Sequence, residues 1–428
     1  MTERAAVQDR NGTTEEAVNR RLEAAKVATS VSFLLAGWGF ATFAGRIPAI
    51  RDSLGLDPAG LGLLLLAGAA GSIIGLPLAG KMSDRFGTAT VVFAGALLSQ
   101  LGLIAVGFTA GVVQSTVLTG VALFFVMFGV GQWDVAMNIE GAAVEHGLGR
   151  TIMPRYHAAF SLGTVACALA AAGAAALGVS IVWHFLGTAV IVAPLAWWAT
   201  RQFLPVVATT ETSAESGTPS EAANDSGRVR SPWTEPRTLM IGLVTLIAAF
   251  TEGAANDWIP VALIDGHHLP EWAGVMGLAT FLGFMTLGRL AGTHLLDRYG
   301  RVPVLRVMLA MAGAGSLMVV FGTWWMAFIG AAVWGLGISL GFPTGISAAA
   351  DDPRRAAVRV ATVSTIAYFA FLVGPPALGL LGNQVGVLKA LSVVSLLLVI
   401  GFFALPAFAK PSEVSVAPVV VEEDSALA

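Results

Sequence analysis

Acidic and amide side chains occur in pairs inside two long apolar segments of the chain. Asp134 and Asn138 stand four residues apart in one segment, and Glu252 and Asn256 stand four residues apart in another. This spacing places both members of a pair on one helix face. An ionised side chain near the centre of a bilayer costs about 2.5–3.5 kcal/mol, so acids found there usually serve a function. The two pairs therefore predict polar surfaces inside a membrane-embedded bundle.

Asp134 is the candidate proton-binding group of the first pair. An apolar cavity disfavours the charged form of a carboxyl group, which suits proton uptake near neutral pH. Asn138 is then a candidate for solute contact. The alternative is an acid at a helix end that neighbouring donors hold. Glu140 and Glu145 follow toward the end of the same segment, and we expect both to be solvated.

The second pair belongs to a cluster of polar residues. Asp257 directly follows Asn256, and Pro260 lies close behind. This pattern predicts a broken helix that lines a cavity, with Glu252 and Asn256 in contact with the solute. Structural hydrogen bonds between helices are the alternative. Asp257 faces the cavity or lies at its extracellular rim.

Aromatic and imidazole side chains add weaker candidates. Trp38 could stack on a ring of the solute, although a packing role explains it equally well. His157 is expected in the lipid headgroup region. His184, His267 and His268 lack the spacing of metal ligands, so the sequence predicts no metal site.

The composition excludes several classes of protein. Of 428 residues, 56% are hydrophobic and 12% are charged, and the mean hydropathy is +0.76. These values leave no room for a large soluble catalytic domain. Cys167 is the one cysteine, so a disulfide framework is excluded. No nucleophile–base pair or nucleotide-binding loop occurs, and the net charge of −3 does not indicate nucleic acid. We expect neither an enzyme nor a cofactor.

Twelve apolar stretches are long enough to cross a membrane, since a spanning helix needs about 20 residues. The sequence predicts them at 27–45, 60–80, 89–108, 112–139, 156–178, 181–202, 238–262, 271–293, 302–322, 324–349, 358–382 and 386–408.

Lysine and arginine set the expected orientation. If the tails and every second loop lie on one side, that side holds 20 of the 24 positive residues. Positive charge stays in the cytoplasm during insertion, so both termini are expected inside the cytoplasmic membrane. Arg289 lies inside a span, and we expect it to reach or pair at the inner face.

Polar segments divide the chain. We predict a cytoplasmic tail over 1–26, a six-helix bundle over 27–203 and a second bundle over 238–409. Between the bundles, 204–237 reads as a flexible cytoplasmic linker, and 410–428 as a disordered acidic tail.

One motif occurs at the same place in both halves. The string Asp-Arg-aromatic-Gly follows the second span and again the eighth span, which implies duplication and a solute site between the halves. The motif residues are Gly80, Asp84, Arg85 and Gly87 in the first copy, and Asp297, Arg298, Gly300 and Arg301 in the second.

This repeat resembles the loop motif of the major facilitator superfamily, Gly-x-x-x-Asp-Arg-x-Gly-Arg, and the resemblance covers nearly all of residues 27–409. It departs from the motif at Thr88 and Thr293. The resemblance implies an all-α membrane protein of two pseudo-symmetric six-helix bundles and twelve transmembrane helices. It also implies a monomeric secondary transporter that works by alternating access, in which the motif residues latch the halves together.

Within the superfamily, the string Asp134-x-x-x-Asn138 and the pair Glu252 and Trp258 resemble the fucose-permease-type sugar–proton symporters. That resemblance implies that Asp134 couples protons and that Trp258 contacts a small polar, sugar-like solute. The acid that those symporters carry in span one is missing here.

The alternative function is a superfamily exporter of drugs or secondary metabolites. Its typical arginine in span four and Gly-Pro motif in span five are absent. Gly374-Pro375-Pro376 in span eleven could supply a bend instead. A sensor or scaffold is a further alternative, but the tails are too short for an output domain.

Overall fold

The protein is built from α-helices in every part of the chain that the structure describes. The structure, a computed structural model, describes residues 2–149, 152–204, 231–352 and 355–409. Twelve helical segments in these ranges are long and apolar enough to cross a membrane, which confirms the number predicted from hydropathy. Most of the predicted linker and all of the predicted acidic tail lie outside the described residues.

Each half contains six membrane spans, numbered here in chain order. In the first half they are span 1 (Thr2–Ala44, continued by Ile47–Leu54), span 2 (Pro58–Phe86), span 3 (Thr88–Phe108, with a π-turn at Thr109–Val113), span 4 (Thr116–Leu148), span 5 (Met153–Ala176) and span 6 (Ile181–Thr200). In the second half they are span 7 (Pro236–His267), span 8 (Glu271–Tyr299), span 9 (Arg301–Phe321), span 10 (Trp324–Ile338 and Gly341–Ala349), span 11 (Ala356–Val385) and span 12 (Val387–Ala390, Ser392–Ala404 and Leu405–Phe408).

The repeated motif forms the same backbone turn in both halves. Span 2 ends at Gly87 with φ 82°, and span 8 ends at Gly300 with φ 80°. The Gly87 amide donates to the Ser83 carbonyl at 2.8 Å, and the Gly300 amide donates to the Leu296 carbonyl at 3.0 Å. Because side chains other than glycine rarely adopt such φ values, the glycine of the motif is what lets the next span start at once.

The two halves touch through span 2 against span 11 and through span 5 against span 8. We call the face with the termini the inner face, which the charge count predicts to be cytoplasmic, and the opposite face the outer face. At the outer face Arg46 pairs with Glu271 and Arg51 with Asp265, both across the halves.

Motif side chains at the inner ends of the spans are accessible. The motif residues Asp84, Arg85, Asp297 and Arg298 are exposed. Among the described residues, the ion pairs that join the two halves lie at the outer face, so the outer face is closed.

The helix breaks differ from those predicted. Span 7 runs without interruption through Pro260, so the prediction of a broken span 7 was wrong. Span 11 is also one continuous helix through Pro375 and Pro376, and a bend there stays a prediction. Neighbouring helices can satisfy the backbone groups that a proline leaves free in a membrane helix. The interrupted helices are span 1, between Ala44 and Ile47, span 10, at Ser339 and Leu340, and span 12, at Leu391.

Candidate functional site

Neighbouring residues anchor span 4 on both sides of its contact with spans 1 and 2 and leave Asp134 partly exposed. The Trp133 indole N–H donates to Ser32 Oγ in span 1 at 2.9 Å, and Gln132 Nε2 donates to the Gly75 carbonyl in span 2 at 2.5 Å. Both anchoring side chains are buried, whereas Asp134 is half-buried. Two hydrogen bonds to different spans therefore hold this part of span 4 in one rotation about its axis.

Asp134 has no cation partner among the residues that the structure describes. Asn138 Nδ2 donates to the Asp134 backbone carbonyl at 2.8 Å and lies 3.5 Å from its Oδ1. Tyr368, in span 11 of the other half, lies close enough for the Asp134 charge to act on its hydroxyl. Tyr368 is 40% exposed. The predicted proton-binding carboxyl group thus has no neutralising cation among the described residues and lies within electrostatic range of the opposite half.

The second half carries a charge pair between spans 7 and 8. Arg289 Nη2 in span 8 donates to Glu252 Oε1 at 3.0 Å and to Oε2 at 3.1 Å. The Arg289 side chain is 31% exposed and that of Glu252 is 21% exposed, so a solute could reach both. The expectation that Arg289 reaches the inner face was wrong, because its guanidinium lies on an acid in span 7. Its position inside a span was the signal that could have marked it as functional.

The other predicted site residues of span 7 differ in how deeply they are buried. Asn256 is 5% exposed and its Oδ1 has no hydrogen-bond partner, while Trp258 is 1% exposed within the hydrophobic core. Solute contact by these two side chains stays a prediction. Asp257 is half-buried ten residues before the end of span 7, about 15 Å along the helix. The extracellular rim is therefore not its position.

Trp38 and His157 are two further candidate residues of the first half. Trp38 is half-buried, and its indole nitrogen is buried without a hydrogen-bond partner, so stacking of its ring on a solute stays a prediction. His157 is exposed, stands edge-on to Phe33 at 5.3 Å, and lies within range of the Arg289 charge in the other half. It thus packs on an aromatic ring of span 1, and its place in the headgroup region stays a prediction.

The motif residues divide into two groups in this arrangement. Arg301 donates to Asp351 at 2.6 Å and to Ser347 at 2.9 Å, both within the second half. Asp84 and Arg85 are exposed, and a Cβ added at Gly80 would meet nothing within 4 Å. A latch through the first copy of the motif stays a prediction for another conformation.

Glu140 corrects one expectation about the inner end of span 4. It is 2% exposed, accepts from Thr88 Oγ1 at 2.7 Å and accepts from the Leu204 amide at 2.7 Å. Glu145, half-buried, accepts from the Ile152 and Met153 amides. Both acids therefore accept hydrogen bonds from residues next to the inner ends of helices and are not simply solvated. Among the described residues, no group of three or more histidine, cysteine or acidic side chains could hold a metal ion.

Comparison with known proteins agrees with this architecture. The sequence profile described as Major Facilitator Superfamily matches residues 29–294. The chain belongs to the major facilitator superfamily. It is therefore a multi-pass secondary transporter and not an enzyme.

Relatives of this transporter share most of its length. It is 31% identical to an uncharacterized MFS-type transporter of Yersinia pestis over 87% of this chain and 93% of that protein. It is 28% identical to the membrane protein MosC of Rhizobium meliloti, over 85% of each.

Solved structures share the fold at low sequence identity. The nucleoside transporter NupG superposes with a TM-score of 0.69 at 14% identity, covering 92% of this chain and all of that one. A bacterial homolog of the human lysosomal transporter Spinster, in an inward-facing and occupied conformation, also gives 0.69 at 14% identity, covering 90% and 96%.

Proposed function

We propose that this transporter moves a small polar, sugar-like solute across the cytoplasmic membrane together with protons, by alternating access. The observation that carries the proposal is the pairing of charges in the cavity. Glu252 is neutralised by Arg289, whereas Asp134 faces the other half without a cation partner among the described residues.

The Glu252–Arg289 pair suits a solute with hydroxyl groups. A guanidinium carries five N–H donors and a carboxylate about four acceptor sites, and this pair uses few of them. Free donors and free acceptors therefore lie side by side. A hydroxyl group both donates and accepts, so two neighbouring hydroxyls of a neutral solute could bind across the pair.

Asp134 is then the group whose charge must change during transport. An unpaired carboxylate is costly to enclose when the cavity closes around the solute, whereas a protonated one is not. Proton binding at Asp134 would permit closure, and release on the other side would favour the reverse step. The sugar–proton symporter resemblance of Asp134 and Asn138 supports this role.

The test uses purified protein in liposomes on a solid-supported membrane. Concentration jumps of sugars, nucleosides, amino acids and lipophilic cations would be compared at inward-directed and zero pH gradients. We expect currents on a neutral polar solute and none on lipophilic cations. Currents on lipophilic cations alone would contradict the proposal and favour an exporter.

Variants separate coupling from binding. Asp134→Asn is expected to abolish proton-driven accumulation while solute exchange continues, because exchange needs no net proton movement. Asp257→Asn is the matched comparison, since it makes the same change at an acid of the other half, and we expect accumulation to persist. Full accumulation by Asp134→Asn, or its loss in Asp257→Asn alone, would remove Asp134 from the coupling role.

A further inference from the structure

Arg46 forms a buried junction at the outer face between the two halves. It lies where span 1 ends and is 1% exposed. Its Nη1 donates to Glu271 Oε1 in the second half at 3.0 Å, and its Nη2 donates to the Val179 carbonyl in the first half at 2.6 Å. Its Nε donates to His184 Nδ1 in span 6 at 2.9 Å. All three nitrogens of the guanidinium thus donate a hydrogen bond when the outer face is closed.

The bond to His184 requires one protonation state of the imidazole. An arginine only donates hydrogen bonds, so the His184 Nδ1 atom must accept with its lone pair. A doubly protonated imidazole has no such lone pair and would put a second positive charge against Arg46. The closed junction therefore needs neutral His184.

We propose that His184 is a pH sensor for the outer gate. A proton taken up at His184 from the outer side removes the acceptor of Arg46, repels the guanidinium and favours opening of the outer face. The path to solvent is short, because His184 is half-buried, its neighbour Trp183 is 67% exposed and Leu177 in the preceding loop is 82% exposed.

The spans packed against span 6 carry no histidine of their own. Span 1 and span 3 pack against span 6. Span 1 contributes Arg46, and through it Glu271 of span 8, while span 3 carries no titratable side chain. An unperturbed imidazole titrates near pH 6.5, unlike carboxylates and guanidinium groups. The second junction, Arg51 with Asp265 and Asp52, consists of a guanidinium and two carboxylates and serves as an internal comparison.

The experiment measures the width of the outer face as pH falls. Spin labels on cysteines at Leu177 and Trp324, both exposed at the outer face in opposite halves, report the distance between the halves. The background carries Cys167→Ala, which removes the native thiol, and Asp134→Asn, which removes the proposed coupling acid. We expect the ratio of open to closed outer face to rise about tenfold or more between about pH 8 and about pH 5, the effect of one hydrogen bond to a charged group.

Substitutions identify the sensor. In His184→Asn the amide oxygen can accept from Arg46 near the position of Nδ1 but cannot titrate, so the outer face should stay closed across the pH range. Glu271→Gln and Asp265→Asn weaken the two junctions and should raise the open population at every pH, while the acid response persists. An acid response that survives in His184→Asn, that is lost in Glu271→Gln, or that is absent from the unsubstituted His184 background would overturn the proposal. The result does not depend on the solute or on Asp134, so it stands apart from the proposed transport function.

Discussion

Gly62 lies at a contact between the halves that alternating access must break. A Cβ added at residue 62 in span 2 would lie 2.7 Å from the Pro375 carbonyl oxygen and 3.0 Å from Pro376 Cα in span 11. Ordinary C···O contacts are about 3.3–3.6 Å. An alanine at residue 62 therefore requires spans 2 and 11 to separate by about 0.6 Å at the outer face.

The cost of this separation applies to one conformation. Overpacking of a close contact costs about 1–3 kcal/mol, and the contact exists only while the outer face is closed. An outward-open state does not bear the cost. We therefore expect Gly62→Ala to raise the ratio of outward-open to inward-open protein by about 5- to 150-fold, with little loss of stability.

Gly75 provides a control on the same helix. A Cβ there would also lie 2.7 Å from a carbonyl oxygen, that of Phe128 in span 4. Spans 2 and 4 belong to one half and stay packed in both conformations. Gly75→Ala should therefore lower the melting temperature without changing the conformational ratio.

The assay combines distance and stability measurements. Labels at Leu177 and Trp324 give the open and closed populations, and thermal unfolding of the purified variants gives the stability. If Gly62→Ala kept the distances of the parent protein and lost stability as Gly75→Ala does, spans 2 and 11 would form a permanent interface. The inference of a moving contact would then be refuted.

Two further predictions concern acids at the inner face. Glu140→Ala leaves the Thr88 hydroxyl and the Leu204 amide without their acceptor, so we expect a loss of about 2–4 kcal/mol in unfolding free energy, measured by chemical denaturation, while proton coupling is retained in the folded fraction. Burial disfavours the charge of Glu235, but hydrogen bonds from Arg359 and Thr238 and the charges of Arg359 and Arg355 hold its pKa below the ordinary 4.5. Its stabilising effect is thus complete above about pH 4.5 and lost as the pH falls through the lowered folded-state pKa. Glu235→Gln should flatten the acid side of a plot of melting temperature against pH, and an unchanged slope would exclude this residue as the cause.

Hydropathy and local motifs were enough to predict the architecture. Twelve apolar stretches can satisfy their backbone hydrogen bonds in a membrane only as helices, and the structure contains twelve such spans. The repeated motif predicted the duplication, and Gly87 and Gly300 end their helices with nearly the same φ. Both signals are local, because each depends on residues adjacent in the chain.

Residues of the candidate site were predicted only in part. Asp134 and Glu252 were found because an acid within an apolar segment is costly wherever the helix packs. Arg289 was placed wrongly because its position along span 8 does not reveal which neighbour it faces. The same limit applied to Glu140, whose two donors come from the start of span 3 and from Leu204, just after span 6.

The sequence by itself thus determined the number of spans, the duplication and the presence of acids in the membrane, since hydrophobicity and helical spacing act over short stretches of chain. Only the tertiary structure decided the pairings of Arg289 with Glu252 and of Arg46 with His184 and Glu271. These contacts join residues from 37 to 225 positions apart. They depend on how helices rotate and pack against one another, which no local pattern specifies.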